Sequence, residues 1–150
     1  MRTTLLATIA GTVLLAACSS GGSAPSSAAP TEGPTAAPVR IEVTLSDAIR
    51  IEPAAMTVPA GVPVTFVVTN TGKVLHEFVL GDEEAQAEHE AEMQAMGGHS
   101  MVHDHPNAIG VDPGETKELT FTFEQPGTTY AGCHVTGHYD GGMKAEITVE

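Results

Sequence analysis

From Val39 onward apolar and polar residues alternate. Val39, Ile41, Val43 and Leu45 are interleaved with Arg40, Glu42 and Thr44, the period-two pattern of a half-buried strand. The same pattern predicts strands at 55–58, 62–69, 74–80, 109–111, 115–123, 128–133 and 144–149, with Leu119, Phe121 and Phe123 on one face of theirs. Turn residues separate them: Pro59-Ala60-Gly61, Asn70-Thr71-Gly72, Asp112-Pro113-Gly114 and Gln125-Pro126-Gly127. Seven or eight short strands joined this way predict an all-β, antiparallel Greek-key sandwich or barrel. One segment breaks the period. Residues 82–96 are rich in Glu, Ala, Gln and Met and carry acidic residues in the first turn, which predicts a helix inserted between strands. Ala85, His89, Met93 and Met96 fall on one face of that helix.

Residues 1–38 show neither period. Arg2 precedes an apolar run at 5–15 that is too short to span a bilayer comfortably, and Leu15-Ala16-Ala17-Cys18 closes it with small residues before a cysteine. This resembles a bacterial lipobox, which implies cleavage before Cys18 and lipid attachment to its sulfur. The expected organisation is a signal peptide at 1–17, a lipidated Cys18 with a flexible Ser/Gly/Ala/Pro tether at 18–38, and a folded domain at 39–150. The expected location is a bacterial cell envelope, with the chain lipid-anchored on the extracytoplasmic side of a membrane.

A chain of 150 residues with 16 Gly and 10 Pro builds one modest domain and excludes a multi-domain enzyme. Six Lys and Arg against 19 Asp and Glu give a net charge of -13, the wrong sign for nucleic acid and one that favours a soluble monomer. Cysteine usage carries more information. If Cys18 bears lipid, Cys133 has no disulfide partner in an oxidising compartment, so burial, lipid or a metal must protect its thiol.

The sequence around Cys133, C-H-V-T-G-H-Y-D-G-G-M, spaces Cys133, His138 and Met143 as Cys-x4-His-x4-Met between two predicted strands. One loop can then present a thiolate, an imidazole and a thioether to one point, with Gly137, Gly141 and Gly142 easing the turn. Two histidines, a cysteine and a weak axial methionine make a blue-copper electron-transfer centre. His76 is the best second histidine, because it shares a strand face with Phe78 and Leu80 and so points inward. Zinc accepts thiolate and imidazole but not thioether. His134, next to Cys133, remains a competing imidazole, although strand alternation turns it away.

On these residues the chain resembles the cupredoxin family, and more closely its branch of small exported copper-tolerance proteins. The resemblance spans 39–150. It is carried by H-E-F-V-L at His76 to Leu80, the Met- and His-bearing segment from His89 to His105, D-P-G-E at Asp112 to Glu115, and the loop from Cys133 to Met143. It implies one type 1 copper held by His76, Cys133, His138 and Met143, and electron transfer through His138 to a protein partner, a cytochrome or a copper oxidase. Thr136 stands where such relatives often have proline, which implies a less rigid loop.

Multicopper oxidases and nitrite reductases use several His-x-His pairs, and only His103-Asp104-His105 is of that kind here, so no enzymatic activity is expected. The rival function is copper sequestration or delivery. His89, Met93, Met96, His99, Met101, His103 and His105 are a dense soft-donor segment, readable either as a second copper site or as core methionines and polar loop histidines.

Overall fold

The computed structural model describes residues 39–97 and 104–150. Cys18, the tether, His99, Met101 and His103 lie outside the described residues. In chain order the elements are β1 (Val39–Ser46), β2 (Arg50–Glu52), β3 (Ala55–Val58), β4 (Pro63–Asn70), β5 (His76–Gly81), α1 (Glu83–Ala95), β6 (Ala108–Val111), β7 (Thr116–Thr122), β8 (Gly127–Gly132) and β9 (Lys144–Val149). They form a four-stranded sheet, β2-β1-β4-β7, and a five-stranded sheet, β3-β9-β8-β5-β6.

The alternating residues meet between the sheets. Leu45, Val64, Phe66 and Val68 from one face Phe78, Leu80 and Ile147 from the other in a single buried cluster. Phe66 and Phe78 join the layers with ring centroids 5.3 Å apart. Burying one such ring is worth about 1.5–3 kcal/mol, so the interleaved apolar residues hold the sandwich closed.

Two expectations need correction. Nine strands, not seven or eight, are present among the described residues. The extra one is β2, whose single buried Ile51 sits between exposed Arg50 and Glu52, too short a run for alternation to register. The sheets are also mixed rather than antiparallel throughout: β1 runs parallel to β4, and β3 parallel to β9. The chain crosses to the second sheet as β3 and returns as β4 in the direction of β1.

The helix starts at Asp82, whose side chain accepts the Ala85 N–H at 2.9 Å, with Glu83 and Glu84 in the first turn. It buries only Gln86 and Met93. Gln86 Nε2 fixes it to the sheet by donating to Val79 O at 2.9 Å and Tyr130 O at 3.2 Å.

β5 and β9 flank β8, and both run antiparallel to it. The start of β5, the end of β8 and the start of β9 therefore share one edge of the sandwich. His76 opens β5, Cys133 follows β8 and Met143 precedes β9.

Candidate metal centre

At that edge the side chains converge. Cys133 Sγ lies 3.8 Å from His76 Nδ1 and 3.4 Å from His138 Nδ1, and the donor atoms of the three residues all fall within 4.8 Å of one another. Cys133, His76 and Met143 are 0% exposed, while His138 is half-buried. The Cys133 N–H donates to Met143 O at 3.1 Å, so these two residues face each other one step beyond the Gly132 and Lys144 pair of the β8–β9 ladder.

The intervening loop closes through its own backbone. The His138 N–H donates to Val135 O at 2.8 Å, the Gly141 N–H to Gly137 O at 3.0 Å, and the Met143 N–H to His138 O at 2.9 Å. Gly137 (φ 79°) and Gly142 (φ 90°) occupy the left-handed region, which a side chain at either position would strain. These bonds hold the turn around Thr136 without proline.

Burial pushes the Cys133 thiol up to about 12, so the bare site holds a protonated sulfur. The Glu77 N–H points at that sulfur from 3.3 Å. A cation that displaces the proton supplies the positive charge that burial otherwise withholds. Burial, with the His76 ring nearby, holds His138 below the usual histidine range, which favours a neutral donor nitrogen. Asp47 Oδ1 stands 3.2 Å from His76 Nε2, leaving Nδ1 turned toward Cys133. Asp47 is itself fixed by the Lys73 N–H, at 2.8 and 3.0 Å from its two oxygens.

His134 faces the opposite way. Its Nδ1 lies 2.8 Å from Glu90 Oε2 and its Nε2 2.7 Å from Gln86 Oε1, both on α1, and its ring stacks on Tyr139 at 4.4 Å. Buried Glu77 accepts the His134 N–H at 3.1 Å. Behind the sulfur there is thus a buried polar layer tying β5, α1 and the loop together.

Sequence reasoning missed Asp47, Glu77, Gln86 and Glu90. Asp47 is 29 residues from His76 and carries no local signal. Glu77 did carry one, a carboxylate inside an otherwise apolar strand, and β5 proves to be buried on both faces from His76 to Leu80. Of the predicted Met- and His-bearing group, His89, Met93, Met96 and His105 line one cavity; the other three residues lie outside the described part.

The donor set, one thiolate, two imidazoles and a buried thioether at the same strand ends, suits copper. Residues 38–150 match the sequence profile of the copper binding proteins, plastocyanin/azurin family. The chain belongs to that family. Among relatives of this cupredoxin, the copper-resistant cuproprotein CopI of Pseudomonas aeruginosa is 37% identical over 137 residues, covering 73% of this chain and 75% of the relative. CopI of Rubrivivax gelatinosus is also 37% identical, covering 73% of this chain and 65% of the relative, so the cupredoxin spans just under two thirds of that protein. Its fold is similar to dithionite-reduced auracyanin of Roseiflexus castenholzii, with TM-score 0.66 and 29% identity over 76% of this chain and 98% of that one. Auracyanin A of Chloroflexus aurantiacus gives TM-score 0.61 and 29% identity over 76% of this chain and 100% of that one.

Proposed function

We propose that this copper-binding cupredoxin is an extracytoplasmic, lipid-anchored type 1 copper protein that passes single electrons and contributes to copper tolerance. The enclosure of the donor set carries the reading. His76, Cys133 and Met143 are sealed from solvent and His138 is the donor nearest the surface, a site with room for electrons and none for a substrate. Copper bound here supplies a one-electron couple between Cu(I) and Cu(II). His76, Cys133, His138 and Met143 hold it, the buried walls exclude water, and the loop's backbone bonds resist rearrangement between the two states. Half-buried His138, beside exposed Gly137 and half-buried Tyr139, is the exit toward a cytochrome or copper oxidase. The relatives named as copper-resistant cuproproteins favour a role in tolerance. Export and anchoring rest on Arg2, the apolar run and Cys18; among the described residues no helix is long and apolar enough to cross a membrane.

Copper titration with visible and paramagnetic-resonance spectra tests the reading. One equivalent of Cu(II) should give an intense thiolate-to-copper band that Cys133→Ser abolishes while the fold persists. A fully loaded but colourless wild-type protein would refute it.

A further inference from the structure

Between α1 and the β5–β6 pair lies a cavity of about 320 Å³, outside the Cys133 centre. Its soft lining consists of His89, Met93, Met96 and His105, with the carboxylates of Glu77 and Glu92 beside them. Three features of these side chains bear on a ligand-binding role.

First, His89 Nε2 is the one buried side-chain nitrogen or oxygen among the described residues that makes no hydrogen bond. Its nearest acid, Glu77 Oε2, is 3.6 Å away, an ion-pair separation rather than a hydrogen bond. Held at ion-pair distance only, this nitrogen keeps hydrogen-bonding capacity that the protein leaves unused. Second, Met96 is 50% exposed at the end of the helix, one of two large apolar side chains so exposed among the described residues. A thioether at the mouth of a cavity loses burial energy and gains access to a solute. Third, Met93 is 3% exposed yet lines the same cavity, so one sulfur lies at depth and another at the rim. Exposed His105 also lines the cavity, its backbone paired to Ala108 at the start of β6.

The geometry points to a second metal site here, taking a soft monovalent cation, Cu(I), on the His89 and His105 imidazoles and the Met93 and Met96 thioethers. Thioethers select Cu(I) over hard divalent ions, and imidazole suits copper in either state. The carboxylates make the pocket anionic and attract a cation without having to bind it directly. The site is independent of the Cys133 centre in its donors but adjoins it in the chain: Glu77, on the cavity wall, directly follows His76.

The test uses the full chain with the Cys133 centre filled and reduced by ascorbate, then titrated with Cu(I) against a chromogenic Cu(I) chelator. Wild-type protein should take up a second equivalent. Combining His89→Gln, Met93→Leu, Met96→Leu and His105→Gln should abolish that equivalent, while reoxidation restores the visible band and so proves the fold intact. Met96→Leu alone, at an exposed position that cannot unfold the domain, should weaken the second affinity by at least the roughly tenfold that loss of even a supporting group costs a metal site. Cys133→Ser should lose the first equivalent and keep the second, which separates failure of this inference from failure of the type 1 reading. Saturation of the wild type at one equivalent would overturn the site. So would retention of the second equivalent by the fourfold variant, its loss only on replacing His99, Met101 and His103, or occupation of the cavity by Zn(II) in place of Cu(I).

Discussion

Replacing His134 by alanine separates the two histidines that flank the copper loop. The side chain is 1% exposed and makes contacts at 2.8 Å to Glu90 and 2.7 Å to Gln86, both on α1, besides stacking on Tyr139. Burial holds the His134 ring below the usual histidine range and so neutral, with one N–H to donate; given to the Glu90 carboxylate, that bond is worth about 2 kcal/mol. The lost stack adds about 1 kcal/mol. At about 4 °C of Tm per kcal/mol for a domain of this size, the metal-free His134→Ala protein should melt about 12 °C lower by circular dichroism or calorimetry. Its copper band should persist, because none of these contacts involves the sulfur. His138→Ala should do the reverse, weakening copper binding by more than the roughly 10- to 100-fold expected of a supporting residue, with a smaller change in melting. If His134→Ala costs as much copper affinity as His138→Ala and leaves the melting temperature unchanged, the orientation of the two rings has been misread.

Met143→Leu removes a thioether that donates to Cu(II) more than an alkyl chain can, so voltammetry should find a higher reduction potential with the visible band retained. Asp47→Ala frees His76 Nε2, and competition with a copper chelator should show affinity falling about 10- to 100-fold. The Cys133 thiol is raised from 9.0 in the unfolded chain to about 12 in the folded one, so its contribution to stability is complete below pH 9 and lost as pH rises toward 12. Denaturant melts of metal-free protein should lose about 1.4 kcal/mol per pH unit across that window, a slope that Cys133→Ser removes.

The alternation that names the strands also names the core, since period-two burial is a local property of each strand. The Leu119 and Phe123 stripe and the Asp82-capped helix were legible for that reason. The convergence of His76 with the Cys133 loop was legible because a lone thiol at a strand end, followed by spaced His and Met, has few other uses. Pairing direction was not legible. Parallel β1–β4 and β3–β9 ladders depend on where the chain crosses between sheets, which no window of residues encodes. β2 was too short to show a period, and Asp47 meets His76 only through the fold. Gln86 and Glu90 were hidden for a different reason: on a polar helix, residues that turn inward look like those that face water.

Cys133 and Met143 are set by the ladder of β8 and β9, whereas His138 hangs from the span between them. The two feet of the loop belong to the framework and its crown does not. Changes at exposed Thr136 or Asp140 can therefore reshape the outer face of the loop while Cys133 and Met143 stay opposite each other. The centre is a fixed socket beneath a face whose side chains can be exchanged without moving it.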